Sequence, residues 1–109
     1  MITIMNSAVM PAGNFGAYRY TPATLDDLAA VLRGDKGEWK SSIGYPQNAE
    51  LIRAWTGLEC PVNRVEAAFN PGDMAFVMRL KGRVDPATKG ASVSESPENW
   101  EFAWVHFEG

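Results

Sequence analysis

Short apolar or alternating segments, separated by turn residues, run through the chain from end to end. Residues 2–5 and 18–20 form two such segments, residues 39–43 and 74–80 two more, and residues 100–107 the last. A period of two is typical of β-strands, because successive side chains point to opposite faces of a sheet. The last segment is apolar on both faces, so we expect it to be covered on two sides.

Two other segments carry apolar residues at helical spacing between a start signal and a stop signal. The first lies between Thr24, a favourable N-cap, and Gly34, and has acidic residues in its first turn. The second begins at Pro46, whose missing N–H would be unpaired there in any case, and ends before Gly57. Tyr45 precedes the proline and is pushed towards extended dihedral angles, so we expect its side chain at the mouth of the second helix.

The segment between the second helix and the last strand predicts a hairpin and a long loop. Residues 65–69 alternate, residues 70–73 form a turn, and residues 74–80 form the next strand, which predicts antiparallel pairing of the two strands. Residues 81–98 are rich in Gly, Pro, Ser and Thr and predict a surface loop. We therefore predict a single α+β domain over residues 1–109, with a mixed, mainly antiparallel sheet of about five strands and two helices over its central strands.

Composition excludes several classes of function. A chain of 109 residues, 46% of them hydrophobic, buries one modest core, and its net charge of −3 argues against binding of polymeric nucleic acid. The single cysteine, Cys60, and the single histidine, His106, exclude an internal disulfide and any multi-cysteine or two-histidine metal site. No segment reaches the roughly 20 apolar residues of a membrane span. We expect a cytoplasmic protein that binds no membrane and no cofactor.

The most informative stretch for function is residues 41–52, followed by residues 62–66. It predicts a short strand, a polar turn at a helix N-terminus, and a second strand that opens with Asn63 and Arg64. A helix N-terminus offers unpaired N–H groups and a partial positive charge, so polar residues there, with an arginine from a neighbouring strand, favour a phosphate or nucleotide site. The alternative is an ordinary capped helix.

Five short motifs also follow one another in a specific order. They are Asn6 after the first strand, Ser42-Ile43-Gly44 with Ala49, Leu51 and Ile52, Asn63-Arg64-Val65-Glu66, Pro71-Gly72-Asp73, and Arg79-Leu80-Lys81-Gly82-Arg83. In this order, and as far as about Lys89, they resemble the viral anti-CRISPR ring nuclease family, formerly a domain of unknown function found in archaeal viruses, phages and mobile elements. The resemblance implies a ring-nuclease-like domain and a homodimer or higher oligomer, whose two-fold cleft holds a cyclic oligoadenylate and cleaves it without metal.

The resemblance also implies which residues would hold the ligand. Asn6 matches the asparagine of the family's first strand, Arg64 its strand arginine, and Arg83 the arginine that faces the ligand. Arginine suits this role because its planar fork makes two hydrogen bonds to one phosphate. The alternative is that the arginines are ordinary surface residues, and Gln47 and Asn48 ordinary turn residues. The full predicted ligand-binding set is Asn6, Ser7, Ser42, Gly44, Tyr45, Gln47, Asn48, Arg64 and Arg83.

The chain departs from the family at the position that matters most for cleavage. In the family a ribose 2′-hydroxyl attacks the adjacent phosphate, and a histidine directly after the Ile-Gly pair protonates the leaving 5′ oxygen; Tyr45 stands there in this chain. A general acid works best with a pKa near the operating pH, whereas a tyrosine hydroxyl keeps its proton to about pH 10. Asp85 and Pro86 occupy the neighbourhood of the family's acidic residue, and His106 is remote in sequence. We therefore assign no catalytic residue and do not expect an efficient ring nuclease.

Three functions of different classes stay open. The favoured one is a phage or mobile-element anti-defence protein that binds and sequesters a cyclic nucleotide second messenger of bacterial immunity in a dimer cleft, as a sponge, with Tyr45 stacked on a base. The first alternative is a metal-independent ring nuclease that cleaves cyclic oligoadenylate, as a type III anti-CRISPR protein, through Tyr45 or strained geometry alone. The second is a structural or regulatory dimer that binds no nucleotide.

The sequence leaves the identity of the messenger open. Cyclic oligonucleotides, cyclic dinucleotides and signals of the cyclic ADP-ribose type all carry phosphates, and arginines recognise phosphates without identifying bases. We expect a protein of either nucleotide-binding class to act in the cytoplasm of the host cell.

Overall fold

The helices and most of the strands predicted from the sequence are found in the structure. A computed structural model describes residues 1–6, 16–63, 69–80 and 97–109 of the chain. Within these ranges the elements are β1 (Ile2–Met5), β2 (Tyr18–Pro22), α1 (Leu25–Leu32), β3 (Trp39–Ser41), α2 (Pro46–Thr56), β4 (Met74–Leu80) and β5 (Trp100–Phe107). A short 3₁₀ turn over Pro97–Asn99 leads into β5. The predicted α+β fold, with two helices and a five-stranded mixed sheet in the part described, is confirmed.

The five strands lie in the order β2-β5-β4-β1-β3. β1 runs parallel to both of its neighbours, with Ile4 opposite Ser41 of β3 and Phe76 of β4, whereas β5 runs antiparallel to β4 and β2. The predicted hairpin is wrong along residues 74–77, because β1 and β5 occupy both edges of β4 there and a strand has only two edges. Residues 64–68, and most of the loop predicted over residues 81–98, lie outside the described residues.

Both helices begin and end at the predicted signals. Thr24 forms a capping box with Asp27: its hydroxyl accepts from the Asp27 N–H at 3.2 Å, and the Asp27 carboxylate accepts from the Thr24 N–H at 2.9 Å. Helix α2 ends at Gly57, whose positive φ of 73° closes the helix with a hydrogen bond from its N–H to the Arg53 carbonyl. Neither helix in the described ranges is long and apolar enough to cross a membrane.

The sheet buries side chains on both of its faces. Both helices pack on one face, over a cluster of buried residues that includes Ile2, Ile4, Leu28, Val31, Ile43, Ile52, Phe76, Met78 and Trp100. The opposite face carries a second buried cluster of Met5, Phe69, Ala75, Val77, Val105 and Phe107. β5 contributes Trp104 to the first face and Val105 to the second, which confirms the prediction that this strand is covered on two sides.

Candidate functional site

Three parallel strands run towards the same edge of the sheet, and the candidate site lies at that edge. β1 is followed by Asn6 and β3 by Ser42, and β4 runs in the same direction beside β1. Parallel neighbours present their carboxyl ends at one edge, which is where open α/β sheets bind their ligands. The backbone N–H of Ser42 donates to the carbonyl of Ile4 at 2.8 Å, so the turn after β3 is tied to the end of β1 two residues before Asn6.

Helix α2 begins at this edge without a side-chain cap. Its N-cap residue is Tyr45, which is extended as predicted, with φ −126° and ψ 130°, and makes no side-chain capping hydrogen bond. The N–H groups of Asn48 and Ala49 both donate to the Tyr45 carbonyl, at 3.1 and 3.4 Å. The first turn contains no acidic residue, so its own side chains do not neutralise the partial positive charge of the helix end. This end of α2 is therefore suited to an anion.

Apolar surface is exposed at the same edge. Tyr45 is 48% exposed and Val62 is 45% exposed, and both belong to the small group of large apolar side chains exposed in the described ranges. A parallel bridge joins Val62 to Ile43, two residues before Tyr45. Gln47 is exposed on the first turn of α2, and Asn48 is half-buried. The edge thus combines polar groups and a helix end, which suit a phosphate, with an exposed ring, which suits a base.

A hydrogen-bond network around Ser41 joins the turn after β3 to residues 60–63. The Ser41 hydroxyl donates to the Pro61 carbonyl and accepts from the Ile43 N–H at 3.2 Å. Asn63 donates twice to the same stretch of chain, from its backbone N–H to the Ile43 carbonyl at 2.9 Å and from its side-chain amide to the Ser41 carbonyl at 3.0 Å. Ser41 is buried, and its bond with the Ile43 N–H is buried too, whereas the bonds with the Pro61 carbonyl and the Asn63 amide are partly buried.

The thiol of Cys60 completes this network. It is buried and lies 3.6 Å from the Ser41 hydroxyl. Burial raises the pKa of the Cys60 thiol, and the hydrogen bond with Ser41 offsets part of that rise. The thiol is therefore held protonated and unreactive near neutral pH, as expected for a packing residue rather than a nucleophile.

The predicted ligand-binding residues fall into two groups. Asn6, Ser42, Gly44, Tyr45, Gln47 and Asn48 are described, and the structure gathers them at the edge formed by β1, β3 and the start of α2. Ser7, Arg64 and Arg83 lie outside the described residues. The assignment of these three residues to the site therefore stays a prediction. Ser7 directly follows Asn6 in the chain, and Arg64 directly follows Asn63.

His106 lies far from this edge. It pairs with Met74, the first residue of β4, whereas Asn6 at the candidate edge follows Met5, which pairs with Val77 from the other side of that strand. At about 3.3 Å per residue and about 4.8 Å per strand, His106 lies roughly 13 Å from Asn6 along the strands and about 10 Å across them. His106 therefore does not belong to the candidate site. Among the residues described, no group of three or more His, Cys, Asp and Glu side chains could hold a metal ion.

A groove of about 530 Å³ lies elsewhere, along β2, β4 and β5. Its lining includes Tyr20, Pro22, Val77, Arg79, Trp100 and Glu101. Arg79 is the cation in this groove, but its Nε and Nη2 atoms both lie 2.9 Å from Oε2 of Glu101. That pairing neutralises the charge a phosphate would need, so we place the candidate site at the strand ends and not in the groove.

Three residues of the site were missed in the sequence-based set: Ser41, Val62 and Asn63. Each lies inside the two stretches that the sequence pattern selected for function. The signal for Ser41 and Asn63 is a hydrogen-bonding side chain at a strand end, a type that often binds backbone groups nearby. Their partners belong to a different part of the chain, which explains why the pattern did not reveal their role.

Comparison with known proteins identifies the family. The ORF117 protein of Acidianus two-tailed virus is 26% identical over 85 residues, which cover 77% of this chain and 73% of the viral protein. The solved structure of B116 of Sulfolobus turreted icosahedral virus (STIV) superposes with a TM-score of 0.70 at 20% identity, over 96% of this chain and 97% of that one, and therefore has the same fold. The STIV B116-like family model matches residues 2–98. Since this match spans most of the chain, the protein belongs to the STIV B116-like family, which has members in archaeal viruses.

Proposed function

We propose that the protein is a viral anti-defence protein that binds and sequesters a cyclic nucleotide second messenger of bacterial immunity. The observation that supports this most directly is the convergence of an uncapped helix N-terminus, the end of β1 and the exposed ring of Tyr45 at one edge of the sheet. Membership of a family with viral members agrees with a role against host defence.

The polar part of the edge supplies the contacts that a phosphate requires. The first turn of α2 has no acidic residue to compete with an anion. Ser42 and Asn6 are brought together by the hydrogen bond from the Ser42 N–H to the Ile4 carbonyl. In the proposal Arg64 and Arg83, which lie outside the described residues, add two guanidinium groups that each bind a phosphate through two hydrogen bonds.

The apolar part of the edge supplies a surface for a base. A ring stacked on a nucleobase contributes about 1 to 3 kcal/mol in proteins that bind single strands. The Tyr45 side chain projects from the N-cap position with about half of its surface open, directly beside the helix end that would hold the phosphate. In the proposal Tyr45 binds the base and transfers no proton, so the cyclic nucleotide is bound and not cleaved.

The proposal includes a second copy of the chain. A cyclic oligonucleotide with two-fold symmetry meets the same residues twice when two copies face each other across a two-fold axis. Size-exclusion chromatography with light scattering, with and without cyclic tetra-adenylate, measures this directly. A mass of two chains is expected, whereas a monomer in both samples contradicts the shared cleft.

The function itself is tested with a panel of rings. The protein is incubated with cyclic oligoadenylates, cyclic dinucleotides and cyclic ADP-ribose isomers, and free nucleotide is measured by chromatography before and after heat denaturation. Free messenger that disappears and returns intact on heating is the expected result. Linear products would instead identify a metal-independent ring nuclease, the second candidate, and free messenger unchanged throughout would contradict nucleotide binding and favour a structural dimer.

A further inference from the structure

We propose that Asn63 is a positioning residue for the candidate site: it holds the turn that presents Tyr45 and the start of α2 in place against residues 60–62. The inference rests on the proposed function and adds a residue to the machinery of that same site. Asn63 is exposed and uncharged, and it acts through the residues to which it donates hydrogen bonds.

The geometry of the grip is specific. The two carbonyls that Asn63 binds, those of Ser41 and Ile43, stand on either side of Ser42. One donor is the backbone N–H, at 2.9 Å, and the other is the side-chain amide, at 3.0 Å. A single residue therefore fixes two acceptors that are two residues apart in the turn, and leaves little freedom for Ser42 between them.

Strand pairing alone gives this turn little support. The pairing of Ile43 with Val62 is an isolated bridge, and Pro61 next to Val62 has no N–H to donate. The Ser41 hydroxyl reaches the Pro61 carbonyl instead, and the Asn63 amide reaches the Ser41 carbonyl. Side-chain bonds thus add to the backbone bond between the Asn63 N–H and the Ile43 carbonyl at this turn.

The consequence for binding follows from the position of the turn. Tyr45 lies two residues beyond Ile43 and occupies the N-cap position of α2, so a shift of the Ile43 carbonyl moves both the Tyr45 ring and the helix end. Arg64 is covalently attached to Asn63 on the other side. Asn63 therefore joins the turn that leads to Tyr45 to the residue that directly precedes Arg64 in the chain.

The test compares N63D and N63A with T24A as a matched control. N63D replaces the amide donor with a carboxylate oxygen that faces the Ser41 carbonyl, N63A removes the donor, and T24A removes the capping box of α1, away from the site. Each variant is measured for Tm, for amide hydrogen exchange, and for the Kd of cyclic tetra-adenylate by calorimetry. Because Asn63 is exposed, all three variants are expected to fold, with Tm lowered by no more than about 8 °C.

The expected result separates positioning from stability. N63D raises the Kd about tenfold or more and speeds exchange at the Ile43 amide, N63A does both to a smaller extent, and T24A speeds exchange at the Asp27 amide while leaving the Kd unchanged. Binding by N63D equal to wild type, or a loss in T24A as large as in N63D, overturns the positioning role alone. A wild type that binds no ring overturns the proposed function, and this inference with it.

Discussion

Replacement of Tyr45 with alanine is expected to weaken binding of cyclic tetra-adenylate without unfolding the protein. The side chain is 48% exposed at the N-terminal end of α2, so a ligand held at that helix end can contact it. Loss of one stacked base costs about 1 to 3 kcal/mol, which raises the Kd by about 5- to 150-fold. The free energy of unfolding is expected to fall by less than about 1 kcal/mol, because a half-exposed side chain leaves no buried cavity.

Tyr45→Phe separates the role of the ring from the role of the hydroxyl. This variant keeps the stacking surface and removes the proton that Tyr45 could transfer to a leaving oxygen. If the protein sequesters its ligand, Tyr45→Phe binds within about twofold of wild type, and no linear product forms with either protein. If Tyr45 is a general acid, wild type forms linear product and Tyr45→Phe loses that activity while binding persists.

Tyr20→Ala is the matched control for this series. Tyr20 is 53% exposed, close to the value for Tyr45. It lies on β2, the outer strand on the other side of the sheet from β3. At about 4.8 Å per strand, the two edges are roughly 19 Å apart. Calorimetry should show an unchanged Kd for Tyr20→Ala. A Kd for Tyr45→Ala within about twofold of wild type, or an equal loss in the control, would refute the stacking argument.

Further predictions concern the network and the helix ends. Ser41→Ala is expected to lower the free energy of unfolding by about 2 to 4 kcal/mol, because the Ile43 N–H and the Pro61 carbonyl lose their partner; calorimetry should show a Tm lower by roughly 10 °C, and an unchanged Tm contradicts the network. Thr24→Ala should cost about 1 kcal/mol in urea unfolding through loss of the capping box, and an unchanged midpoint would contradict that role. Tyr45→His supplies an acid that titrates near neutral pH, so chromatography is expected to show linear products from cyclic tetra-adenylate, and their absence contradicts a phosphate held at the start of α2. Since burial raises the pKa of the Cys60 thiol, alkylation of the folded protein should increase at higher pH than alkylation of the urea-unfolded chain, and coincident pH profiles would contradict the burial.

The two helices were predictable because their signals act within one turn of the chain. Thr24 caps the N–H of Asp27 three residues later, and Gly57 adopts the positive φ that ends α2. Pro46 begins α2 where the pattern placed it, and Tyr45 has the extended dihedral angles that a following proline favours. None of these features requires a partner from a distant part of the chain.

The pairing of strands was not predictable in the same way. The pattern of β4 was recognised, but its partner was taken to be the segment just before it, whereas residues 74–77 pair with β1 and β5. A period of two indicates which residues share a face and leaves the neighbouring strand unspecified. The insertion of β1 between β3 and β4 therefore emerged only in the tertiary structure.

For the candidate site, too, the sequence determined some features and the tertiary structure decided the others. The sequence alone determined the turn of Ser42 to Tyr45 and the helix after it, because these residues are contiguous and their chemistry can be recognised in order. The tertiary structure alone decided that Asn6 lies near Ser42, and that Asn63 reaches the Ser41 carbonyl. Side-chain chemistry is a property of single residues, whereas proximity at this edge follows from the parallel alignment of strands that are distant along the chain.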